Sequence, residues 1–210
     1  MSFTDGFDPL KTDDTYSLSN ENRTVLCDTA GVSSSAISAW TATSGKPYWE
    51  VKLDYQYQYY TSMGFCDQSD DTDFTKDIRS GLNESWAIHR RIINSRVYHD
   101  NAYFVIPEIY VTGDVLMFAV DIDAGKAWAG KNDVWWESGD PANGTNPLWE
   151  DATIIGNTIS ACVSCRQVGD KRTARFQSAQ LDYAPPSGFS APGGGGAVDS
   201  VVNQSMLLLF

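Results

Sequence analysis

Between residues 45 and 180 the sequence is a succession of short runs rich in Val, Ile, Tyr, Phe and Trp, separated by Gly, Asn and Asp. Residues of the first group favour β-strands, and those of the second group favour turns. No long helical pattern interrupts the succession. The sequence therefore predicts an all-β fold in which two antiparallel sheets form a sandwich.

Residues 48–54 predict one strand in detail because their apolar and polar side chains alternate. Successive side chains of a strand point to opposite faces, which directs Trp49, Val51 and Leu53 together into a core. Tyr48 and its neighbours on the other face are expected to point outward. This pattern is typical of a half-buried strand.

Residues 115–123 begin apolar on both faces and end with alternating aspartates, and turn sequences follow at 123–126 and 132–133. This arrangement predicts a meander of three strands joined by two tight turns. Further strands are expected at residues 60–66, 85–92, 96–104, 159–165 and 173–177. The expected core comprises Trp49, Trp86, Phe118, Trp128 and Phe176. The first 20 residues are polar and acidic and fall outside the pattern.

The charge balance argues against two classes of partner. The chain has 15 Lys and Arg against 27 Asp and Glu, a formal net charge of −12 at pH 7. Such a charge repels the phosphate backbone of nucleic acids and an anionic membrane surface. The N-terminus lacks the basic and apolar regions of a signal peptide, and no uninterrupted apolar run, that at residues 206–210 included, is long enough to cross a bilayer. Neither nucleic-acid binding nor export nor membrane insertion is expected.

The four cysteines do not form the disulfide framework of a small secreted scaffold, which predicts assembly in a reducing cytosol. Cys162 and Cys165 have CxxC spacing but fall in an expected strand, where residues three apart face opposite ways, so both are expected to be structural. The acidic loop at residues 67–73 resembles the start of a calcium loop. Because Thr72 replaces the required glycine and Ile78 the closing glutamate, a solvated loop is favoured over a calcium site.

The sequence offers no catalytic constellation. His89 and His99 lie in expected strands, and neither has a Ser or Cys at the spacing of a recognisable motif. GxSxG, HExxH and P-loop patterns do not occur. The expectation is a protein that is not an enzyme and has no catalytic residue, metal ion or cofactor.

Aromatic residues provide the first candidates for partner binding. In an extended segment Tyr55, Tyr57 and Tyr59 share one face, and tyrosine offers a large contact area for a protein or a glycan at low entropic cost. Half-buried packing against an adjacent loop is the alternative. Trp136 and Trp149 lie on either side of a loop rich in Gly and Asn, and they present the same two possibilities.

Trp135 and Trp136 are successive in an expected strand, so one should be core and the other exposed or covered. Arg79, Arg90, Arg91 and Arg96 form the one basic region of an acidic chain. Such a region is usually a solvated strand face, although an acidic neighbour could dock on it.

The C-terminal segment provides the last candidates. Four glycines at 193–196 are typical of a flexible linker, and the chain then continues to an apolar end. The candidate contacts there are Leu207, Leu208, Leu209 and Phe210. Large apolar side chains are unfavourable in water, so this end is expected to dock on another polypeptide, either a second copy or a particle scaffold protein. The chain is accordingly divided into a sandwich domain at 1–192, which begins with an acidic lead-in, and a linker with a docking tail at 193–210.

Several segments, taken in order along residues 7–190, resemble the SPRY family. The segments with the general pattern of that family are LSN at 18–20, SGKPYWEV at 44–51, GDV followed by VDIDAGK within 113–126, and KNDVW at 131–135. Two more, SGDPANGTNP at 138–147 and YAPPSGF at 183–189, are similar to the form found in bacteriophage and other virion proteins. Asp133 stands where the family usually has glycine, which predicts a longer or distorted hairpin there.

The resemblance implies a bent β-sandwich of the concanavalin-like jelly-roll type, which binds other proteins through its loops and has no catalytic activity. The expected role is that of a bacteriophage virion component on the capsid or tail, assembled in the host cytoplasm. Its role would be contact with other virion proteins or copies of itself, adhesion to a host-surface protein or glycan, or both. A cellular SPRY adaptor that captures a short peptide and a lectin-like glycan-binding module are the alternatives. Fold analogy alone does not identify the partner.

Overall fold

The computed structural model describes residues 5–30, 34–57, 60–68, 75–79, 82, 84–99 and 102–193. In chain order the strands are β1 (Phe7–Thr12), β2 (Tyr16–Ser19), β3 (Thr24–Cys27), β4 (Ala36–Ser38), β5 (Tyr48–Tyr55), β6 (Ser62–Asp67), β7 (Ser85–Arg90), β8 (Ser95–His99), β9 (Ala102–Ile106), β10 (Val115–Asp121), β11 (Lys126–Lys131), β12 (Val134–Trp135), β13 (Trp149–Glu150), β14 (Ile159–Ser164) and β15 (Lys171–Arg175). Short 3₁₀ helices span Trp136–Ser138, Ala152–Ile154 and Ser178–Gln180. The described ranges contain no helix with the length and apolar character needed to span a membrane.

The strands form two antiparallel sheets, which confirms the predicted all-β sandwich. One sheet has seven strands in the order β1-β4-β14-β6-β7-β8-β9. The other has eight strands in the order β12-β11-β10-β5-β15-β3-β2, with β13 paired to β11. The expected meander is present as β10, β11 and β12, which pair in sequence. Strand β9 therefore lies at one edge of the seven-stranded sheet, and β1 lies at the other.

Aromatic rings join the two sheets in the core. Trp49 lies opposite Phe118 on the neighbouring strand, and their rings stack with centroids 5.3 Å apart. Phe65 and Trp86 form the equivalent stacked pair in the other sheet, at 4.9 Å. An edge contact of 6.2 Å between Trp49 and Phe65 connects the pairs across the sandwich. All five residues expected in the core are buried.

The outer face of β5 is covered, which corrects one expectation. Tyr48 does lie on the face opposite Trp49, but its side chain is fully buried rather than directed into solvent. The reason is that the chain returns across this face after β15, where Leu181, Tyr183 and Phe189 pack on it. Residues 181–189, called the closing segment below, therefore turn a half-buried strand into one that is buried on both faces.

Glu50 holds the closing segment in place. Its fully buried carboxylate accepts hydrogen bonds from the backbone amides of Asp182 at 2.8 Å and Tyr183 at 2.9 Å. It also accepts from the hydroxyl of Tyr48 at 2.9 Å and pairs with the guanidinium of Arg175 at 3.0 Å. Four donors thus compensate the desolvation of one carboxylate.

The first 20 residues, which lie outside the strand pattern of the sequence, contribute two strands to the sandwich. Strand β1 pairs with β4, and β2 pairs with β3. Phe7 is fully buried and meets Phe176 edge-on at 5.9 Å. Tyr16 is also buried, and its hydroxyl donates to the backbone carbonyl of Cys165 at 2.8 Å. Single, widely spaced apolar residues anchor this polar segment, and a search for continuous apolar runs misses such anchors.

Two hairpins differ from expectation. The single strand expected at 96–104 is a hairpin in which His99 of β8 pairs with Ala102 of β9. The turn at Asn132 and Asp133 is not lengthened or distorted, because both residues adopt positive φ, 50° and 67°, between strands that stay in register. Asn and Asp tolerate this left-handed conformation better than other non-glycine residues, so aspartate can replace glycine here.

Candidate interaction surface

Strand β9 presents exposed apolar side chains at the edge of a sheet. Tyr103, Phe104 and Val105 are 49%, 46% and 51% exposed, whereas the strands in the middle of the same sheet are buried. On one side β9 pairs with β8, and no described strand pairs with its other side. Alternate backbone N–H and C=O groups of an edge strand point away from the sheet and can bind another strand. An apolar and open edge of this kind marks a docking surface or an aggregation hazard.

A pocket of about 300 Å³ lies along the inner side of this edge. Its lining residues are Val97, His99, Ala102, Tyr103, Phe104 and Trp149. Trp149 forms the floor on which Phe65 packs edge-on at 5.7 Å, and its indole N–H donates to the carbonyl of Tyr98 at 3.1 Å. These contacts fix the indole, so the pocket beside β9 has a rigid apolar floor.

The polar side of the pocket is formed by His99. Its ring stacks on Trp86 with centroids 5.0 Å apart, and its Nε2 lies 2.6 Å from the carboxylate of Asp151. Asp151 also accepts hydrogen bonds from the indole of Trp86 and from the backbone N–H and hydroxyl of Thr153. Burial opposes ionisation of Asp151, but these bonds and the charge of His99 outweigh it and keep its pKa below the usual value. His99 is thus held in one orientation as part of the wall.

The outer face of the same edge carries arginine and tyrosine side chains. The guanidinium of Arg96 lies 4.0 Å from the centre of the Tyr103 ring and donates to the hydroxyl of Tyr98 at 3.1 Å. Arg79 lies over the Tyr98 ring and is paired in a bidentate manner with Asp77. Both guanidinium groups thus lie within the range of cation–π attraction to a tyrosine ring. The two faces of β9 therefore differ, with an apolar pocket on one and a basic, aromatic surface on the other.

His89 lies beneath these arginines, on the outward side of β7. It is fully buried, and its Nδ1 lies 2.9 Å from the hydroxyl of Ser62. Burial, and then the charges of four arginines led by Arg79, lowers the pKa of His89 to about 3. The imidazole is therefore neutral at physiological pH. It supports the sheet and is not placed to exchange protons with solvent.

The histidines thus have packing roles, and the cysteines do as well. Cys162 lies in a cluster on the outer side of the seven-stranded sheet, while Cys165 lies in the core between the sheets, as the strand pattern predicts. Burial raises the pKa of both thiols, that of Cys165 to about 12. In the ranges that the structure describes, no three His, Cys, Asp or Glu side chains converge as metal ligands. Residues 69–74 of the acidic loop lie outside those ranges.

Tyr55 and Tyr57 are 47% and 56% exposed, as a contact surface requires, and Tyr59 lies outside the described residues. Their backbone is fixed from below. The guanidinium of fully buried Arg172 donates to the carbonyl of Tyr55, and the amide of Tyr57 donates to Asp170 at 2.8 Å. The side chains are therefore free to meet a partner, which stays a prediction.

The two tryptophans expected to bind a partner are buried, which corrects that expectation. Trp136 is 4% exposed and belongs to the main core, and Trp149 is 5% exposed. Trp135, the last residue of β12, is half-buried and packs on the other face against Tyr48, so one of the successive tryptophans lies in the core and the other packs on the opposite face. Trp149 contributes to the surface only as the floor of the pocket. Leu207, Leu208, Leu209 and Phe210 lie outside the described residues.

The exposed residues of β9 were not among the candidates derived from the sequence. The run from Ala102 to Ile106 is apolar on both faces, which is typical of a buried central strand. The missed signal is the Asp100-Asn101 pair, because Asp and Asn favour turns and the pair predicts the end of one strand and the start of another. Recognition of that turn would have separated β9 from β8, but it would not have shown that β9 lies at the edge.

Comparison with solved structures identifies the fold. The SPRY domain of human HERC1 superposes with a TM-score of 0.62 at 17% identity over 85% of this chain and 100% of that domain. The PSpry domain of TRIM65 gives a TM-score of 0.58 at 17% identity over 83% of this chain and 91% of that domain. No family model matches the sequence, and no curated protein matches it either. The chain therefore has a SPRY-like fold, in agreement with the resemblance of its motifs.

Proposed function

We propose that this chain is a non-enzymatic protein-interaction module that serves as a structural component of a bacteriophage particle. The observation that carries the interaction role is the edge strand β9, with three successive exposed apolar residues beside an apolar pocket. The capsid or tail context is supported by the resemblance of residues 138–147 and 183–189 to the virion form of the SPRY family. Assembly in the host cytoplasm and incorporation into the particle belong to the same proposal.

The chemistry of the surface favours a protein partner over a glycan. The pocket is lined almost entirely by carbon atoms, with the His99 imidazole as its polar group, and the imidazole is already engaged by Asp151. Sugar recognition requires several donors and acceptors directed at hydroxyl groups. An open strand edge instead offers backbone hydrogen bonds together with apolar contacts, which an extended polypeptide can satisfy.

The particle role is tested by sedimentation of purified particles followed by quantification of the chain relative to the major capsid protein. We expect a fixed stoichiometry that survives washing in moderate salt, because apolar contacts are not screened. Recovery of the chain only in soluble host-cell fractions would contradict the virion role and favour a cellular adaptor that captures a peptide.

The surface is tested with a matched pair of variants. Val105→Glu places a charge in β9, and Val134→Glu places the same charge in β12, the edge strand of the other sheet, where Val134 is 65% exposed. We expect Val105→Glu to lower the amount of chain bound to particles at least tenfold and Val134→Glu to leave it unchanged. Equal effects of the two variants would remove β9 as the contact surface.

A further inference from the structure

We propose that the occupant of the β9 edge is the apolar C-terminal segment, residues 206–210, of a second copy of this chain, added to the sheet as an extra strand. This inference rests on the proposed interaction role and names the partner. Three arguments lead to it: the chemistry that the two faces of β9 require, the sequence of the segment, and the distance between the end of the closed domain and the edge.

The geometry of β9 defines what can bind there. Phe104 lies opposite Val97 and faces the pocket, whereas Tyr103 and Val105 point to the other face. A strand paired with β9 would therefore place alternate side chains in the apolar pocket and the rest against Tyr103 and Val105. On the pocket face the neighbours are apolar. On the other face Tyr103 and Val105 offer apolar area beside the guanidinium of Arg96. A bound strand with large apolar side chains at consecutive positions therefore finds apolar contacts on both faces.

Residues 206–210 have this composition. Met206, Leu208 and Phe210 share one parity and Leu207 and Leu209 share the other, so an extended MLLLF segment is apolar on both faces. Residues 200–210 contain no Asp, Glu, Lys or Arg, and residues 197–210 contain no Pro or Gly. The segment can thus pair along the five residues of β9 without burying a charged side chain or losing a backbone donor.

The position of the last described residues favours exchange between copies over folding back within one copy. The amide of Gly193 donates to the carbonyl of Phe176 at 2.7 Å, and Gly193 lies beside Asp5, which precedes β1. Strand β9 is at the opposite edge, six strand spacings or about 29 Å across the sheet. Residues 194–205 span at most ~40 Å when fully extended. Docking on the chain's own β9 would need about three quarters of that length for the straight distance alone and more along a path around the sandwich, whereas a neighbouring copy imposes no such restriction.

Head-to-tail donation predicts a characteristic assembly behaviour. Each copy has one donor segment and one acceptor edge, so wild-type chains should form closed rings, reciprocal pairs or longer series. The net charge of −12 makes copies repel one another, and association driven by apolar burial should therefore be unchanged or strengthened when salt rises.

The test uses two full-length variants that each retain one half of the contact. One variant replaces Leu207, Leu208 and Leu209 with serine, so it keeps the β9 edge but loses the apolar segment. The other is Val105→Glu, which keeps the apolar segment but loses the β9 edge. In sedimentation velocity at micromolar concentration we expect wild type to associate, each variant alone to be monomeric, and the mixture to form one-to-one pairs only. Circular dichroism verifies that both variants are folded, and Val134→Glu should associate like wild type.

A mixture that stays monomeric, or a triple variant that associates like wild type, would overturn the proposal. The proposal would also be overturned if the wild type were monomeric and its residues 206–210 were protected from proteolysis, because the segment would then dock within one copy. Particle binding separates this inference from the function on which it rests. If Val105→Glu abolishes particle binding while self-association never occurs, the surface stands and its partner is a different particle protein. If Val105→Glu changes neither, the proposed surface itself is wrong.

Discussion

Two apolar surfaces of this domain differ in whether the described part of the chain covers them. The outer face of β5, β10 and β11 is covered by the closing segment, so that Tyr48, Trp128 and Met117 are buried. The β9 edge carries a comparable density of large apolar side chains, and the described part of the chain leaves it open. The difference shows that an apolar pattern on both faces of a strand predicts that a cover exists. Whether the same chain or another one supplies that cover depends on contacts distant in sequence.

The largest effect should come from removing a side chain beneath the closing segment. Trp128 is 1% exposed, meets Phe189 edge-on and donates from its indole to the carbonyl of Thr145 at 2.8 Å. Trp128→Ala should lower the free energy of unfolding by roughly 3–5 kcal/mol, the range for emptying a buried aromatic site. Phe104→Ala on the open edge should cost under about 1 kcal/mol. Urea denaturation at a concentration where the chain is monomeric measures both.

Equal losses of unfolding free energy for Trp128→Ala and Phe104→Ala would contradict the difference between the covered face and the open edge. They would mean that β9 is covered within one copy in solution. They would also contradict the inference that a second copy supplies the cover.

The next largest effect should come from the buried carboxylate that holds the closing segment. Glu50→Gln removes the charge facing Arg175 and weakens the hydrogen bonds from the amides of Asp182 and Tyr183. We expect a loss of about 2–3 kcal/mol, because a hydrogen bond to a charged group is worth more than a neutral one and Arg175 keeps a second partner in Asp182.

Glu150→Gln is the control for this change. Its side chain is 68% exposed and lies 3.5 Å from Lys126, so the loss should stay below about 0.5 kcal/mol. Proteolysis after residue 175 in the Glu50 variant, but not in the control, would show that the closing segment opens locally. A Glu50 variant as stable as the control would contradict the anchoring role.

His89, on the arginine side of the seven-stranded sheet, makes a pH-dependent contribution to the free energy of unfolding. Its pKa of about 3 in the folded chain is below its ordinary value of 6.5, so between these values the unfolded chain binds the proton more strongly. The stabilisation by neutral His89 is complete above pH 6.5 and is lost as the pH falls toward 3. Between pH 7 and pH 5 the loss should be roughly 2 kcal/mol.

The comparison of wild type with His89→Gln isolates this contribution from that of the carboxylates. The difference in stability between the two proteins should shrink as the pH falls from 7 to 5. A difference that stays constant over this interval would show that His89 is not held neutral in the fold.

The sequence predicts those parts of the fold that depend on neighbouring residues better than those that depend on contacts distant in sequence. The alternation around Trp49 and the meander turns are local, and both are confirmed. The cover over Tyr48 depends on residues more than 130 positions later in the chain, and strand alternation contains no information about it. Strands β1 and β2 were missed because single anchors such as Phe7 hold them by tertiary packing rather than by a continuous apolar run.

The candidate site was predicted less well than the fold for the same reason. Trp136 and Trp149 have the composition of contact residues, but long-range packing buries them. The β9 residues have the composition of core residues, but their edge position exposes them. Composition indicates apolar character, and only the order of strands in the sheet decides which apolar residues remain accessible.

The smallest effect concerns Tyr57, an exposed aromatic that is neither beneath the closing segment nor on the β9 edge. The fold fixes the backbone of Tyr57 through its amide and Asp170, and the side chain is 56% exposed. Tyr57→Ala should therefore change the free energy of unfolding by less than about 1 kcal/mol, since neither a cavity nor an unpaired buried group results. Thermal denaturation of this variant beside Trp49→Ala, for which roughly 3–5 kcal/mol is expected, measures the contrast. Comparable losses would place Tyr57 in the core and remove it from the binding candidates. A small loss of stability combined with reduced particle binding would instead establish a second contact surface, separate from β9.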